Sequence, residues 1–220
     1  LQAHGEQYMP QRVGRMENAT EPFVDIESCE HLWGAVNTYP YGDGVHTMMD
    51  EFYWRRRKKH KHWGQANHLL VNKRGQTVFA RLKLFFDSHN HDFVRIFIAL
   101  CRTFGPCYAV LHPFGPSEKT RDDDRREYSD FAGGGYHWYL WKRQYPNLAW
   151  ANCFGGEFAD IADRHALLKA GFHVEELAGD LWMLQLTENL TDVTSDWEEF
   201  SQRRRDAKSF FPKNFFLIKE

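Results

Sequence analysis

The sequence predicts an α+β fold in which a mostly antiparallel sheet packs against helices within a single domain. Segments with strand periodicity and segments with helical periodicity interleave, but they lack the regular βαβ rhythm and the glycine fingerprint of a doubly wound sheet. The chain has 220 residues, of which 42% are hydrophobic, and it carries 18 Phe, 9 Tyr and 8 Trp. That apolar content is enough to bury a core without help from metals or disulfides.

The middle of the chain predicts a strand–helix–strand unit. Apolar residues alternate from residue 76 to residue 86, which is typical of a half-buried strand. Capping side chains at residues 88–92 precede a helical pattern that starts at Phe93 and stops at Gly105. Residues 107–111 are a short apolar run and predict the second strand.

The C-terminal third predicts two helices separated by a hairpin. Residues 157–170 carry an apolar stripe at helical spacing, which indicates the first helix. Residues 172–177 and 181–187 flank a short turn around Gly179 and predict the hairpin. The last helix is expected to open at Ser195, whose hydroxyl can cap the first turn.

The N-terminal part gives weaker signals. Residues 1–22 are polar and include glycine and proline, so they predict a mobile lead-in to a domain that spans residues 23–220. Residues 47–62 predict a helix. A long exposed loop is expected at about residues 113–135, where prolines, glycines and a run of charges show no sustained period.

The overall charge is nearly balanced. The chain carries 28 Lys and Arg against 30 Asp and Glu, which leaves a net charge of −2. That balance gives no overall reason to expect a nucleic-acid or membrane partner. No window approaches the roughly 18 apolar residues that a membrane-spanning helix needs. We therefore expect a soluble protein that makes no membrane contact. The expected compartment is the cytoplasm, with the periplasm as the alternative.

The four cysteines, Cys29, Cys101, Cys107 and Cys153, are scattered without a C-x-x-C pair. The sequence therefore has neither a zinc knuckle nor a thioredoxin-type motif. Free cysteines are often simply buried, and these four are interpreted as reduced thiols of the core. No cofactor and no metal are expected.

Sequence motifs for nucleophilic catalysis and phosphate binding are missing, since there is no G-x-S-x-G, no S-x-x-K and no P-loop. The one catalytic alternative is a metal-dependent hydrolase whose ligands fall at the ends of two predicted strands. These candidate ligands are His89, His91, Asp92 and His112. Neutral imidazoles and a carboxylate can hold a cation that activates water. The competing interpretation, which we favour, is a polar loop that caps the following helix.

A basic run extends from Arg55 to Lys61. Clustered cations displace counterions from phosphate, so the run is a candidate nucleic-acid patch. No recognised nucleic-acid motif surrounds it, and a solvated helix end is the favoured interpretation. Direct binding of nucleic acid is therefore not expected.

Acidic residues concentrate in residues 157–199, where eleven Asp and Glu occur with only Arg164 and Lys169. Gathered like charges repel one another unless a cationic partner relieves them, so this region predicts a docking surface for a basic protein such as a nuclease. Helix-start carboxylates with ordinary solvation are the alternative. The predicted partner-binding acids are Glu157, Asp160, Asp163, Glu175, Glu176, Asp180, Glu198 and Glu199.

The motif Trp-Ala-Asn-Cys-Phe-Gly at residues 150–155 is followed by a helix, a hairpin and a closing helix that carries Arg203 and Lys208. In this motif and in the order of elements, residues 93–211 resemble the immunity protein 52 family. Its members are bacterial immunity proteins encoded beside polymorphic or type VI secretion toxins. The resemblance implies a protein without catalytic activity that binds a cognate secreted toxin, often a nuclease, and neutralises it by forming a stoichiometric complex.

Under this hypothesis the acidic residues meet a basic toxin, and large aromatic side chains anchor the interface. Trp138 and Trp141 are the candidate anchors. Complexes with one or two copies of each partner are compatible with the resemblance, and so is a homodimer of this chain.

Overall fold

The computed structural model describes residues 8–15, 18–41, 44–49, 51–67, 70–71, 77–78, 80–87, 92–114, 131 and 144–218. The chain divides into two compact units, Leu1–His91 (unit 1) and Asp92–Glu220 (unit 2), where the sequence predicted one domain from residue 23. Every pairing between the described strands is antiparallel. Helices accompany the sheets, so the predicted α+β class is confirmed.

Unit 1 is built from strands. Those that the structure describes are β1 (Arg12–Arg15), β2 (Asn18–Pro22), β3 (Val36–Tyr41), β4 (Gly44–Met49), β5 (Phe52–Arg56), β6 (His62–Asn67), β7 (Leu70–Val71), β8 (Thr77–Val78) and β9 (Arg81–Phe86). Five of them form one sheet in the order β2-β1-β5-β6-β9, and the pairs β3–β4 and β7–β8 form two-stranded sheets. A 3-10 helix, Glu27–Leu32, follows β2 in the sequence.

One face of the five-stranded sheet carries the core of unit 1. Val13 of β1 lies opposite Trp54 of β5, and both side chains are buried in one cluster with Leu32 of the 3-10 helix. Because side chains alternate along a strand, Arg12 and Arg55 belong to the opposite face. The sheet thus separates an apolar core from a face that carries basic side chains.

Three predictions for this part of the chain differ from the structure. Residues 12–15 and 18–22 form β1 and β2, so they belong to the sheet and not to a mobile lead-in. The helix predicted over residues 47–62 is wrong, because this stretch contains the end of β4, all of β5 and the first residue of β6. The spacing of apolar residues in this stretch fits a helix as well as a strand. Backbone pairing of β5 with both β1 and β6 favours the strand. The strand predicted over residues 76–86 is present in two pieces, β8 and β9.

Unit 2 contains a four-stranded sheet and four α-helices among its described residues. The strands are β10 (Tyr108–Leu111), β11 (Ala151–Phe154), β12 (His173–Ala178) and β13 (Leu181–Gln185), in the order β10-β11-β13-β12. The helices are α1 (Phe93–Phe104), α2 (Arg164–Lys169), α3 (Asp192–Ser195) and α4 (Trp197–Lys208), with a 3-10 helix at Gly156–Phe158. None of the helices that the structure describes combines the length and the apolar content needed to cross a bilayer.

Two predicted elements of unit 2 are confirmed. Helix α1 begins after Asp92, whose carboxylate accepts the N–H of Arg95, and it ends at Gly105, which has a left-handed φ of 52°. The hairpin of β12 and β13 turns at Gly179, where φ is 58°. Both elements depend on capping and turn residues that are adjacent in sequence.

Two predicted helix starts are corrected. The helix expected over residues 157–170 is split, because a 3-10 turn occupies its beginning and α2 starts only after the cap residue Asp163. Helix α4 is capped by Asp196, which accepts a backbone N–H of the first turn. Ser195 does not cap α4, because its hydroxyl donates instead to the carbonyl of Thr191. Ser195 is the last residue of α3.

The buried amide of Asn152 organises the turn that leads into β11. Its Oδ1 accepts the N–H of Ala149 and its Nδ2 donates to the carbonyl of Ala149, each at 2.9 Å. The hydroxyl of Tyr108 donates to the same Oδ1 at 3.2 Å, and Asn152 itself is fully buried. Trp150 donates its ring N–H to the hydroxyl of Thr187. The Trp-Ala-Asn motif is therefore a set of hydrogen bonds that holds the sheet of unit 2 together.

Helices cover both faces of this sheet. On one face, Arg102 of α1 forms an ion pair with Glu175 of β12 at 3.3 Å. On the other face, the ring of Phe154 lies 5.5 Å from that of Phe211, just beyond α4. Arg204 of α4 is buried on the same side and donates to a backbone carbonyl at 3.4 Å. The two central strands, β11 and β13, are almost entirely buried as a result.

The aromatic residues after α4 are covered within unit 2. Tyr145 exchanges backbone hydrogen bonds with Phe215 and Leu217, and its ring lies 5.1 Å from that of Phe215. Phe215 and Phe216 are both buried. The end of the described chain is therefore part of the core of this unit.

We expect the Asn152→Ala variant to lower the free energy of unfolding by about 3 kcal/mol. Two buried backbone groups of Ala149 lose their partners, and each costs roughly 1–3 kcal/mol when it is left unsatisfied. Urea unfolding followed by tryptophan fluorescence measures the change.

Asn189→Ala is the matched control for this prediction. Asn189 is exposed, and only its backbone forms hydrogen bonds within the described residues. Its replacement should change the free energy of unfolding by less than about 0.5 kcal/mol. An equal loss in both variants would contradict the role assigned to Asn152.

Candidate functional site

The acidic residues predicted as one docking surface fall into two groups in unit 2. At the β12–β13 turn, the Oδ2 of Asp180 accepts the N–H of Gly156 at 2.9 Å, which holds the turn against the 3-10 helix. Three more exposed acids lie between residues 157 and 163, just after Gly156. The turn group is defined as Glu157, Asp160, Asp163 and Asp180.

The second group lies at the start of α4. Glu198 and Glu199 are exposed in the first turn of this helix, directly after the cap residue Asp196. No Lys or Arg occurs between residue 188 and residue 202. The helix group is defined as Glu188, Asp192, Asp196, Glu198 and Glu199.

The two groups lie at opposite ends of β13. Asp180 directly precedes Leu181, the first residue of the strand, and Glu188 follows soon after Gln185, its last residue. At about 3.3 Å per strand residue, the strand alone separates these ends by roughly 17 Å. The acids that the sequence suggested as one surface therefore form two smaller ones.

Glu175 and Glu176 point to opposite faces of the sheet, as neighbours on a strand must. Glu175 forms an ion pair with Arg102 at 3.3 Å, and Glu176 forms one with Arg164 at 3.6 Å. Both pairs are substantially exposed, so each stabilises the fold by at most about 1 kcal/mol. Since positive partners already lie beside them, these two carboxylates add little to either acidic group.

Two acids of these groups also serve as helix caps. Asp163 accepts a backbone N–H of α2 at 3.0 Å, and Asp196 accepts one of α4 at 3.3 Å. This is the structural role that helix-start carboxylates commonly play. Asp160, Glu198 and Glu199 have no such role, since within the described residues their side chains are exposed and form no hydrogen bond or ion pair.

The aromatic anchors proposed from the sequence, Trp138 and Trp141, lie outside the described residues. A different tryptophan, Trp197, is half-exposed and directly precedes Glu198. Its ring lies 5.7 Å from that of Phe200. No sequence signal selected Trp197 as an anchor, because its helical spacing assigns it to the core stripe of α4. The guanidinium of Arg204 lies over the Trp197 ring at 5.1 Å, and Trp197 is the first residue of the helical turn that carries Glu198 and Glu199.

The residues of the alternative metal site do not come together among the described residues. His89 and His91 lie outside them, and Asp92 caps α1, as the structural interpretation expected. His112 accepts the N–H of Trp150 on its Nδ1 at 3.0 Å and packs among aromatic rings. No group of three or more potential ligands that could hold a metal ion occurs in the part of the chain that the structure describes.

The basic run forms the turn between β5 and β6 and is not a helix end. The side-chain oxygen of Gln11 accepts the backbone N–H groups of Arg57 and Lys58 at 3.0 and 3.2 Å. The guanidinium of Arg56 donates to the carbonyl of Met9 at 3.0 Å. Residues of the expected lead-in thus hold this hairpin in place, which no local sequence signal indicated.

The four cysteines form no disulfide bonds, and three of them are buried as predicted, whereas Cys107 is only half-buried. Burial raises the pKa of Cys29 and of Cys107, and the carboxylate of Glu157 raises the pKa of Cys107 further. A hydrogen bond with Cys101, together with burial, raises the pKa of Cys153. Because the thiolate is the reactive form, these thiols are poor nucleophiles at neutral pH.

No protein-family model, no curated protein and no solved structure matches the chain. The resemblance to immunity proteins therefore stays a prediction, and the residues and their geometry provide the evidence for function.

We expect Glu157→Gln to increase the alkylation rate of Cys107. Removing the negative charge beside the thiol favours the thiolate, so the pKa of Cys107 falls and the pH dependence of the reaction moves to lower pH. Iodoacetamide labelling across about pH 7–10, with the modified cysteine located by mass spectrometry, measures the effect. Asp160→Asn is the control, because Asp160 does not contribute to the raised pKa of Cys107. Identical labelling curves for the wild type and Glu157→Gln would show that Glu157 lies elsewhere.

Proposed function

We propose that this protein acts by stoichiometric docking, as an immunity protein that neutralises a basic, nuclease-type secreted toxin. The single observation that carries the proposal is the helix group, where the first turn of α4 carries exposed carboxylates without ion-pair partners in the described structure and, one residue before them, a partly exposed tryptophan. The proposal includes no catalytic step. It places the complex in the cytoplasm, where the nucleic acid that such a toxin cleaves is found.

Electrostatics supports a cationic partner for the helix group. Glu198 and Glu199 lie at the positive end of the α4 dipole, which offsets part of their mutual repulsion but leaves both charges directed to solvent. Opposed potentials on two proteins accelerate their encounter and fix their orientation. A nuclease groove that binds phosphate presents the required positive surface.

The helix group is the better candidate of the two acidic groups. Each group has two carboxylates that accept backbone N–H groups and are engaged in the fold: Asp163 and Asp180 in the turn group, and Asp192 and Asp196 in the helix group. Glu198 and Glu199 have no such engagement within the described residues. Trp197 adds apolar area at the edge of the group, and tryptophan is among the residues that dominate binding energy at protein interfaces.

Charge reversal at the helix group should weaken the complex. The probe is the purified product of the reading frame adjacent to the gene of this protein, and surface plasmon resonance measures association and dissociation. We expect Glu198→Lys/Glu199→Lys to slow association by about 10-fold or more. The difference should shrink as salt is raised from about 0.05 to 0.5 M, because exposed charges are then screened.

Two variants with the same charge change serve as controls. Glu157→Lys/Asp160→Lys tests the turn group, and Glu27→Lys/Glu30→Lys tests exposed acids of unit 1. Each should slow association by less than about threefold, since neither touches the helix group. Equal effects in all three variants would show that slower association follows from the change in net charge and not from the helix group. If the adjacent product forms no complex and the protein gives no protection to cells that express it, neutralisation of that toxin is excluded.

A further inference from the structure

A basic cavity lies in unit 1, beside the turn between β5 and β6. Its volume is about 510 Å³, which falls in the range of small-ligand sites. Four of its seven lining residues carry a positive charge, and none carries a negative one. The hairpin pocket is defined by Gln11, Arg12, Ala19, Thr20, Arg55, Arg57 and Lys58.

Sheet register places two of these cations side by side. Arg12 and Arg55 are direct partners across β1 and β5, so their side chains project from the same face of the sheet. Like charges in this position repel each other. Arg12 donates to the carbonyl of Thr20, whereas the Nε of Arg55 is buried and has no hydrogen-bond partner in the described structure. An anion placed between the two guanidinium groups would relieve the repulsion.

The nearby carboxylates do not supply that anion. Glu21, on the neighbouring strand β2, contacts His31 at 2.9 Å. Glu51 forms an ion pair with Arg81, and Asp25 accepts the N–H of Ser28. Within the described residues, none of the pocket cations forms an ion pair with a carboxylate. Among the described residues of unit 1, no carboxylate therefore compensates the positive charge of the pocket.

The turn that carries Arg57 and Lys58 is held in place before any ligand arrives. Gln11, itself a lining residue, accepts both of their backbone N–H groups. Arg56 is directed away from the pocket, since it donates to the carbonyls of Met9 and Lys59. A site that is ordered in advance loses less conformational freedom on binding than a mobile run of surface cations.

An aromatic side chain adjoins the cations on the same face of the sheet. Trp63 of β6 is the other cross-strand partner of Arg55, and its ring stacks on that of Phe85 at 4.0 Å. Across the sheet, Arg12, Arg55, Trp63 and Phe85 follow one another in register. Cations that can bind phosphate next to aromatic rings are typical of proteins that bind nucleotides in single strands.

We propose that the hairpin pocket binds the phosphate group of a nucleotide. Arg12 and Arg55 provide planar guanidinium groups that suit bidentate contact with phosphate oxygens, and Arg57 and Lys58 add charge at the rim. The phosphate belongs either to a free nucleotide or to a single strand of nucleic acid. This function differs from the docking proposed for unit 2, and the sequence alone favoured a solvated run with no ligand.

The test uses the full chain and three probes. Fluorescence anisotropy measures binding of a labelled oligothymidylate of about 12 nucleotides, and calorimetry measures binding of AMP and of inorganic phosphate, all at about 0.1 M salt. Binding of AMP, without tighter binding of the oligonucleotide, assigns the pocket to a free nucleotide, and binding of inorganic phosphate without AMP overturns the proposal. Binding of the oligonucleotide at least about 10-fold tighter than AMP assigns it to a single strand. Failure of all three probes to bind overturns the proposal.

Matched variants separate the pocket from the basic run as a whole. Arg57→Gln/Lys58→Gln removes two pocket charges, and Lys59→Gln/Lys61→Gln removes two charges of the same run that do not line the pocket. All four side chains are exposed, so both variants should fold. The first should weaken binding by about 10-fold or more and the second by less than about threefold. Equal losses, or displacement of the oligonucleotide by polyglutamate as effectively as by unlabelled oligonucleotide, would overturn the proposal.

Arg55→Gln gives a readout that is independent of the rim charges. Because the substitution removes one of two facing like charges, the melting temperature without ligand should be unchanged or higher. Phosphate should raise the melting temperature of the wild type more than that of Arg55→Gln, since a ligand stabilises only the state that binds it. Equal shifts in both proteins would show that Arg55 does not contact the anion.

Discussion

The buried amide of Asn152 is the interaction on which unit 2 depends. A fully buried polar side chain is tolerated when its hydrogen-bonding groups are satisfied, and Asn152 uses both ends of its amide on the backbone of Ala149. These bonds define where β11 begins, and β11 lies between β10 and β13 in the sheet. The same strand leads into Gly156, whose N–H is held by Asp180. The position of the turn group follows from the pairing of β11 with β13 and from the bond between Gly156 and Asp180.

In the described structure, some charged side chains form contacts that stabilise the fold, and others are exposed to solvent without such contacts. Asp163 and Asp196 accept backbone N–H groups at helix starts, a use that stabilises a helix whatever the protein does. Glu198 and Glu199 have no comparable contact among the described residues, and in unit 1 the facing pair of Arg12 and Arg55 has no carboxylate partner there. A net charge of −2 thus conceals local excesses of both signs. Ion pairing depends on neighbours in space, so overall balance says little about the partners of each unit.

Predictions from the sequence succeeded where the residues that determine an element lie next to it in the chain. Helix α1 was predictable at both ends because Asp92 and Gly105 cap it directly. Residues 47–62 were misassigned because their apolar spacing fits a helix as well as a strand, and the strands that pair with β5 come from distant parts of the chain. The sequence showed that residues 157–199 are rich in acids, but it did not show that these acids divide between the two ends of β13. The hairpin pocket was not predicted either, because two of its lining residues, Gln11 and Arg12, fell in the segment that was expected to be a mobile lead-in.

By itself the sequence determined the α+β class, the position of α1, the hairpin at Gly179 and the burial of Cys29, Cys101 and Cys153. Each of these follows from spacing or chemistry within a few residues. Only the tertiary structure decided that Arg12 faces Arg55, that the Trp-Ala-Asn motif is a network of buried hydrogen bonds, and that Glu198 and Glu199 have no ion-pair partner among the described residues. These features depend on which strands pair and in which register, and register is set by burial of side chains across the whole sheet.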